Sequence, residues 1–397
     1  MELDKLHVVA PTAFSCLLYA AVRITFAYEL VRHGARAPAV DGDAVAPTPV
    51  VSVLKPLAGC DEDLAENLES FARLDYPEYE LLLGLARRDD TAAPVAAAFV
   101  ARQPPGRARI VWTDGDAAHN PKVAQLVGLT AAARGDVLVV ADSNTRARPE
   151  YLRTLVARLM RPGVGLVSSL VAGTGERAFG AAIENAQLCS YIAPTIVTAR
   201  AWTDRTISVG KSMAMRRRDL ERVGGWAVVG SVLAEDDVLG RRFSDAGFAV
   251  ELCYEPIDNP NRDISLARTM DRHTRWAKMR RTISPTSFWL EPLMTPLVVA
   301  AVVAVAFPSL AALGAWLAAA VLQCGGATLD GRLMRGRWPG WRVVPVELAR
   351  AHVGLVCWLG ATWSRRVTWR GHRFELGPDT RLVRVASKRR APTRAAA

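Results

Sequence analysis

Three acidic positions and one cationic run have the residue types and spacing that chemistry needs. Asp89–Asp90 follow a second apolar run, Asp142 opens Asp-Ser-Asn behind DVLVVA, and Glu235–Asp236–Asp237 precede a helical pattern. Arg275–Trp276 end the run Arg272-His-Thr-Arg-Trp276. A carboxylate at a strand end with polar neighbours can hold a hard divalent cation that keeps its waters and takes phosphate oxygens. Taken alone, Asp-Ser-Asn also reads as a turn cap. Three consecutive acids complement the dipole at a helix start; buried together they raise one another's pKa, which suits a general base. Lys122 and Arg275 can offset the charge of a diphosphate, although many such cations only solvate a surface. Neither GxGxxG nor GxxxxGK[ST] occurs, so dinucleotide and P-loop nucleotide binding are not indicated.

These residues need a scaffold, and the surrounding pattern describes one. Residues 50–54, 80–86, 109–112 and 136–141 are short apolar runs, each predicting a strand. Helical patterns lie between them: one from Asp61 as N-cap, with Leu64, Leu68 and Phe71 on one face, one over 91–102, and one with Pro121 at its first position. Continuous apolar strands alternating with helices imply an α/β fold with a mainly parallel sheet covered on both faces. Ligands of such sheets bind beyond the carboxyl ends of the strands, where Asp142 falls.

Composition places this unit against a membrane. The chain has 397 residues, half of them hydrophobic and 22% charged, which excludes a disordered, collagen-like or disulfide-stapled protein. The six cysteines are scattered without a CxxC or Cys/His cluster, against a zinc site and in keeping with a reducing compartment. No charged side chain occurs from Pro292 to Leu329. A single pass takes about 20 apolar residues, so this run predicts a hairpin over roughly 288–307 and 309–329, broken near Pro308. Residues 8–28 form another apolar stretch; Arg32 and Arg36 behind it predict an uncleaved anchor with its downstream side in the cytoplasm. Residues 343–363 are interrupted by Glu347 and Arg350 and flanked by arginines, favouring a segment that lies in the interface or re-enters it. Residues 331–397 hold 15 Lys/Arg and 3 Asp/Glu, a charge of +12 that leaves −1 for residues 1–330. A basic stretch behind membrane segments, without regularly interleaved aromatics, points to anionic lipid and away from nucleic acid. The expected organisation is a membrane anchor over 1–36, a catalytic domain over 48–287, the hairpin over 288–329 and a basic interfacial or re-entrant segment and tail over 330–397.

The order of the motifs says more than any one of them. VSVLKPLAG at 51–59, NLESFARLDYPEYELLLG at 67–84, Asn120-Pro-Lys122, Ala141-Asp-Ser143, the Gly210-Lys-Ser motif, Gly224-Gly-Trp226, Ala234-Glu-Asp236 and Arg272-His-Thr-Arg-Trp276 precede an apolar hairpin. In this order the chain resembles the ceramide glucosyltransferases, glycosyltransferase family 21, which also includes bacterial lipid glycosyltransferases. The resemblance runs from about residue 50 to about 292 and more loosely to Phe374. It implies a GT-A fold, Rossmann-like with a mainly parallel sheet, carrying N-terminal and C-terminal membrane helices. It also implies a UDP-sugar donor, a divalent cation (Mg or Mn), a lipid acceptor and inversion at the anomeric carbon. By position, Asp142 would bind the metal, Asp236 would be the base, and Arg275 would contact the pyrophosphate. Trp276 would pack on donor or acceptor, and Lys122 and Arg272 would lie on the donor side.

Two positions depart from the family pattern. Arg87 stands where an Asp is usual, which shifts nucleotide recognition to Asp89 or Asp90; Asn144 replaces a second metal-side Asp. The expected activity is transfer of a hexose, glucose foremost, to the hydroxyl of ceramide by an integral membrane protein with a cytoplasmic catalytic domain, at the inner membrane in a bacterium. Diacylglycerol and hopanoid lipids are alternative acceptors. A polysaccharide synthase is disfavoured by Arg272, where such enzymes generally carry Gln. A scaffold that kept the fold without turnover is the non-enzymatic alternative.

Overall fold

Apolar runs become buried strands because a strand covered on both faces has no side to give to water. In the computed structural model, which describes residues 2–34, 48–203, 205–369 and 372–384, β1 (Val51–Pro56), β2 (Tyr79–Leu85), β3 (Ala108–Trp112) and β4 (Val137–Ala141) pair in parallel. With β5 (Val164–Thr174), β6 (Ser212–Arg216) and β7 (Ala249–Pro260) they form a seven-stranded sheet of order β3-β2-β1-β4-β6-β5-β7. Only β6 among these runs antiparallel, against β4 and β5. The predicted α/β architecture with a mainly parallel sheet is therefore present. Expectations that rest on Arg36, on Arg370 or on the basic tail beyond 384 lie outside the described residues.

Two apolar clusters sandwich the sheet. One gathers Leu68, Phe71, Phe99 and Leu155 and the other Leu126, Leu129, Trp226 and Phe243. The helices that supply them follow α1 (Glu2–Gly34): α2 (Leu64–Ala72), α3 (Ala93–Val100), α4 (Pro121–Ala132) and α5 (Tyr151–Leu159) cross between successive strands. After β5 come α6 (Phe179–Gln187), a π-helical turn at Leu188–Ile192 and α7 (Ala193–Trp202); α8 (Arg217–Arg222) and α9 (Glu235–Asp245) lie between β6 and β7, and α10 (Leu266–Ile283) follows β7. Helix α2 starts at Leu64, two residues later than predicted, since the Asp61 carboxylate accepts the Ser143 hydroxyl instead of capping.

Among the described residues three helices are long and apolar enough to cross a membrane: Val9–Gly34 within α1, α13 (Leu310–Arg335) and α14 (Val343–Trp363). The first arm of the hairpin, expected over roughly 288–307, falls in α11 (Pro285–Leu290) and a short 3-10 turn joined to α12 (Pro296–Ala306) at a bend of 72°. Pro292 and Pro296 lack the N–H that would continue the ladder. The chain then returns to the globular body as an antiparallel meander of β8 (Arg366–Trp369), β9 (His372–Leu376) and β10 (Leu382–Arg384). Phe374, Leu376 and Leu382 of the meander pack with Leu233, just ahead of α9.

Candidate active site

The site forms where three strands end together. Parallel β1 and β4 bring Lys55 and Asp142 to one edge, and antiparallel β6 brings its beginning there, with Ser212 paired to Ala141. Gly210 and Lys211 thus arrive beside Asp142 although 68 positions separate Asp142 from Gly210. Helix α4 starts at the same edge. The Asn120 side chain accepts from the N–H groups of Lys122 and Val123, Pro121 takes the first turn, and Lys122 is aimed at the strand ends.

Asp142 is ringed by lysines. Its Oδ1 lies 2.8 Å from Lys122 Nζ and its Oδ2 3.6 Å from Lys211 Nζ, while Lys55 Nζ donates to its main-chain oxygen at 2.9 Å. Burial alone would raise the Asp142 pKa, but Lys122 and then Lys211 outweigh it and hold the carboxyl at about 2. Burial pulls Lys55, stacked over the Phe71 ring, down to about 7. Lys122 Nζ also donates to Gly210 O at 2.8 Å and pairs with Glu235 at 2.9 Å, so its three donors each have a partner. Lys211 additionally donates to Asn144 Oδ1 at 2.8 Å, occupying the side chain that replaces the second family Asp.

Asp236 joins this cluster through Gly210, whose N–H donates to Asp236 Oδ2 at 2.6 Å. Asp142, Lys122, Gly210 and Asp236 are therefore links of one hydrogen-bonded chain. Burial first, and the neighbouring Glu235 carboxylate second, push the Asp236 carboxyl up to about 7. A carboxyl held at that value can exchange a proton at neutral pH, which suits a general base. The first turn of α9 carries all three acids without a side-chain cap, as the helix dipole favours.

The C-terminal meander braces the turn that leads into α9. Thr380 O accepts from Leu233 N and Thr380 Oγ1 from Ala234 N, both at 3.0 Å, and Leu382 N donates to Ser231 O at 2.8 Å. Asp379 and Thr380 adopt positive φ, 52° and 58°, to make this reach. Thr380 is a positioning residue for Asp236. Thr380→Val leaves a buried N–H without its partner, at a cost of about 1–3 kcal/mol. The expected outcome is a kcat loss of about tenfold with donor KM little changed, and recovery in Thr380→Ser, followed by steady-state kinetics beside thermal unfolding.

The other predicted residues scatter around this centre. Arg272 Nη1 donates to Glu184 Oε1 at 2.8 Å, and His273 Nε2 lies 2.9 Å from Glu184 Oε2; although burial opposes it, the interactions with His273 and Arg272 draw Glu184 down to about 2. Trp276 packs edge-to-face with His273 and partly against the main core, and half-buried Arg275 lies beside it on α10. Asp90 ties the loops after β1 and β2 together, accepting from Gly59 N at 2.9 Å and Ala92 N at 2.8 Å. Asp89 is not drawn in: it is exposed and paired with Arg87. Its link to nucleotide recognition thus rests on the family pattern alone.

Sequence reasoning missed Lys55 and Lys211 as members of the centre, although both stand in the motifs that carry the resemblance. The available signal was Lys55 itself, a charge at the end of an otherwise apolar buried strand, a position lysine rarely occupies unpaired. Glu184 and Thr380 left no local signal. Among the described residues no three His, Cys, Asp or Glu side chains group closely enough to cage an ion. The donor set here is one carboxylate, which fits a cation that keeps its waters and takes diphosphate oxygens, not a closed protein cage.

Comparison with known proteins agrees with the motif order. A family model described as Glycosyl transferase family 21 matches residues 9–382. Ceramide glucosyltransferase 3 of Caenorhabditis elegans is 28% identical over 249 residues, 62% of this chain and 53% of that protein. Ceramide glucosyltransferase 1 of the same organism is 26% identical over 281 residues, 70% of this chain and 59% of the relative. The matched part thus spans little more than half the length of these curated relatives. Among solved structures, mannosyltransferase PcManGT from Pyrobaculum calidifontis, in complex with GDP-Man and Mn2+, is 18% identical with a TM-score of 0.48, covering 89% of this chain and 99% of that one.

Proposed function

The chain belongs to glycosyltransferase family 21, and from that premise we propose that it is a membrane-bound inverting enzyme that moves glucose from UDP-glucose to the primary hydroxyl of ceramide. The observation that carries this reading is the continuous link Asp142–Lys122–Gly210–Asp236, which couples a diphosphate-side carboxylate to a proton acceptor at one sheet edge.

Asp142 would hold the divalent cation, which when bound supplies charge neutralisation for the departing diphosphate. Lys122 and Lys211 add fixed positive charge at the same place, where a preorganised donor acts without reorganisation during the reaction. Asp236 takes the proton from the acceptor hydroxyl as its oxygen attacks the anomeric carbon. Arg275 and Trp276, on α10, contact the donor pyrophosphate and the substrates. A single displacement by the acceptor hydroxyl, with Asp236 as its base, gives a β-linked product from the α-linked donor. The apolar helices hold this centre at the bilayer surface, and Arg32 at the end of α1 supports a cytoplasmic catalytic domain.

The test incubates membranes carrying the full chain with a panel of labelled UDP-sugars and with ceramide or diacylglycerol. The expected product is β-glucosylceramide, identified by mass spectrometry and its anomeric proton coupling. Retained α-configuration would refute the displacement scheme, and absence of product with every lipid would refute the activity.

A further inference from the structure

A second polar centre lies deeper, beside the apolar helices. A narrow cavity of about 40 Å³ opens between α6, α10, α14 and the break between α11 and α12. On the same measure one water needs about 10–15 Å³, so the space takes a small polar group and not a sugar ring. Its polar lining is Gln187, Tyr191, Thr295, Glu291 and the two arginines Arg280 and Arg350. Arg280 donates to both Glu291 oxygens at 2.6 and 3.0 Å. Arg350 donates to Glu347 at 2.6 and 2.7 Å and to Gln187 Oε1 at 2.7 Å. Val298, Ala351, Leu355 and Trp358 supply the apolar lining.

Three independent features coincide here. An apolar segment breaks, and irregular backbone at membrane depth is tolerated where it is buried or lines a cavity. Glu347 and Arg350 are buried in a helix long enough to span, and ionisable groups in such helices mark substrate paths. The cavity also lies along the two helices that carry Glu184 and Arg272. Gln187 lies one turn past Glu184 on α6, and Arg280 lies eight residues, about 12 Å of helix rise, past Arg272 on α10.

We propose that this cavity receives the polar head of the acceptor lipid, a neutral head that both donates and accepts hydrogen bonds, as an amide beside a hydroxyl does. The inference rests on the reading of the chain as a lipid glycosyltransferase. Arg280 and Arg350 are each matched by a carboxylate, Glu291 in the lining and Glu347 behind it, so no cationic charge is left over to attract a phosphate head, and Glu291 repels one. The acyl chains leave along α12 and α14, where Val302, Val305, Val356 and Leu359 are exposed apolar side chains.

Gly354 gives access for a test, because a Cβ built there meets no heavy atom within 4 Å and a larger side chain can enter the cavity. In the full chain reconstituted in lipid nanodiscs, Gly354→Leu should raise the KM for a short-chain ceramide at least tenfold while the UDP-glucose KM moves less than twofold. An unchanged ceramide KM overturns the assignment. A second measurement needs neither turnover nor the variant: a ceramide with a diazirine next to its amide is photolysed with the wild-type chain, and the labelled peptides are mapped. Label on 291–298 or 350–358, displaced by excess ceramide and not by phosphatidylglycerol, supports the cavity; label elsewhere, or displacement by phosphatidylglycerol, overturns it. A chain that labels there and yet makes no glycolipid would refute the catalytic reading alone.

Discussion

Asp236→Asn should lower kcat by about 10²–10⁴-fold, the contribution expected of one positioned general base, and leave UDP-glucose binding nearly intact. The substitution keeps the volume and preserves an acceptor for Gly210 N–H, so the chain through Lys122 stays assembled. What disappears is proton capture. The same carboxyl sets the pH dependence. With its pKa pushed to about 7 by burial and Glu235, the competent ionised form falls tenfold per pH unit below that value. The profile of log kcat/KM should therefore rise with unit slope up to about pH 7 and rise no further beyond it. Lys55, lowered by burial to about 7, acts in the opposite sense: it loses positive charge as pH rises and contributes only to a falling limb. Asp142, held at about 2, does not titrate in this range. A profile of Asp236→Asn that keeps the rising limb would assign the base elsewhere.

Asp142→Ala should cost about 10²–10³-fold in turnover, the scale for removing one electrostatic group aimed at developing charge. The reason lies in what Asp142 separates. With it gone, Lys211 and Lys55 lose their shared counter-charge, while Lys122 keeps Glu235. The variant should also cease to respond to added Mn2+ or Mg2+, whereas wild-type turnover should fall in EDTA and recover on adding metal. Asp142→Asn, which preserves shape, controls for collapse of the lysine cluster and should be nearly as inactive. Turnover in Asp142→Ala within a few-fold of wild type in EDTA would remove Asp142 from the metal role.

Much of this centre was legible locally. Asn120-Pro121-Lys122 states a helix start within three residues, since a cap side chain, a residue without an N–H and a first-turn cation have fixed positional preferences. DVLVVA followed by Asp142 states a buried strand and its polar end. The acids at 235–237 match a helix N-terminus, as found. The break in 285–306 was less legible, because apolar composition counts residues and is blind to the angle at which prolines redirect them.

By itself the sequence determined the first four strands, the helices between them, the motif order and the family, because periodicity, caps and spacing act over a few residues. Tertiary structure alone decided which distant groups meet. The reversed direction of β6 brings Lys211 beside Asp142, and Thr380 reaches Ala234 across 146 positions to hold the turn before Asp236. Strand order and direction are settled by how whole faces pack, a property no window of sequence contains.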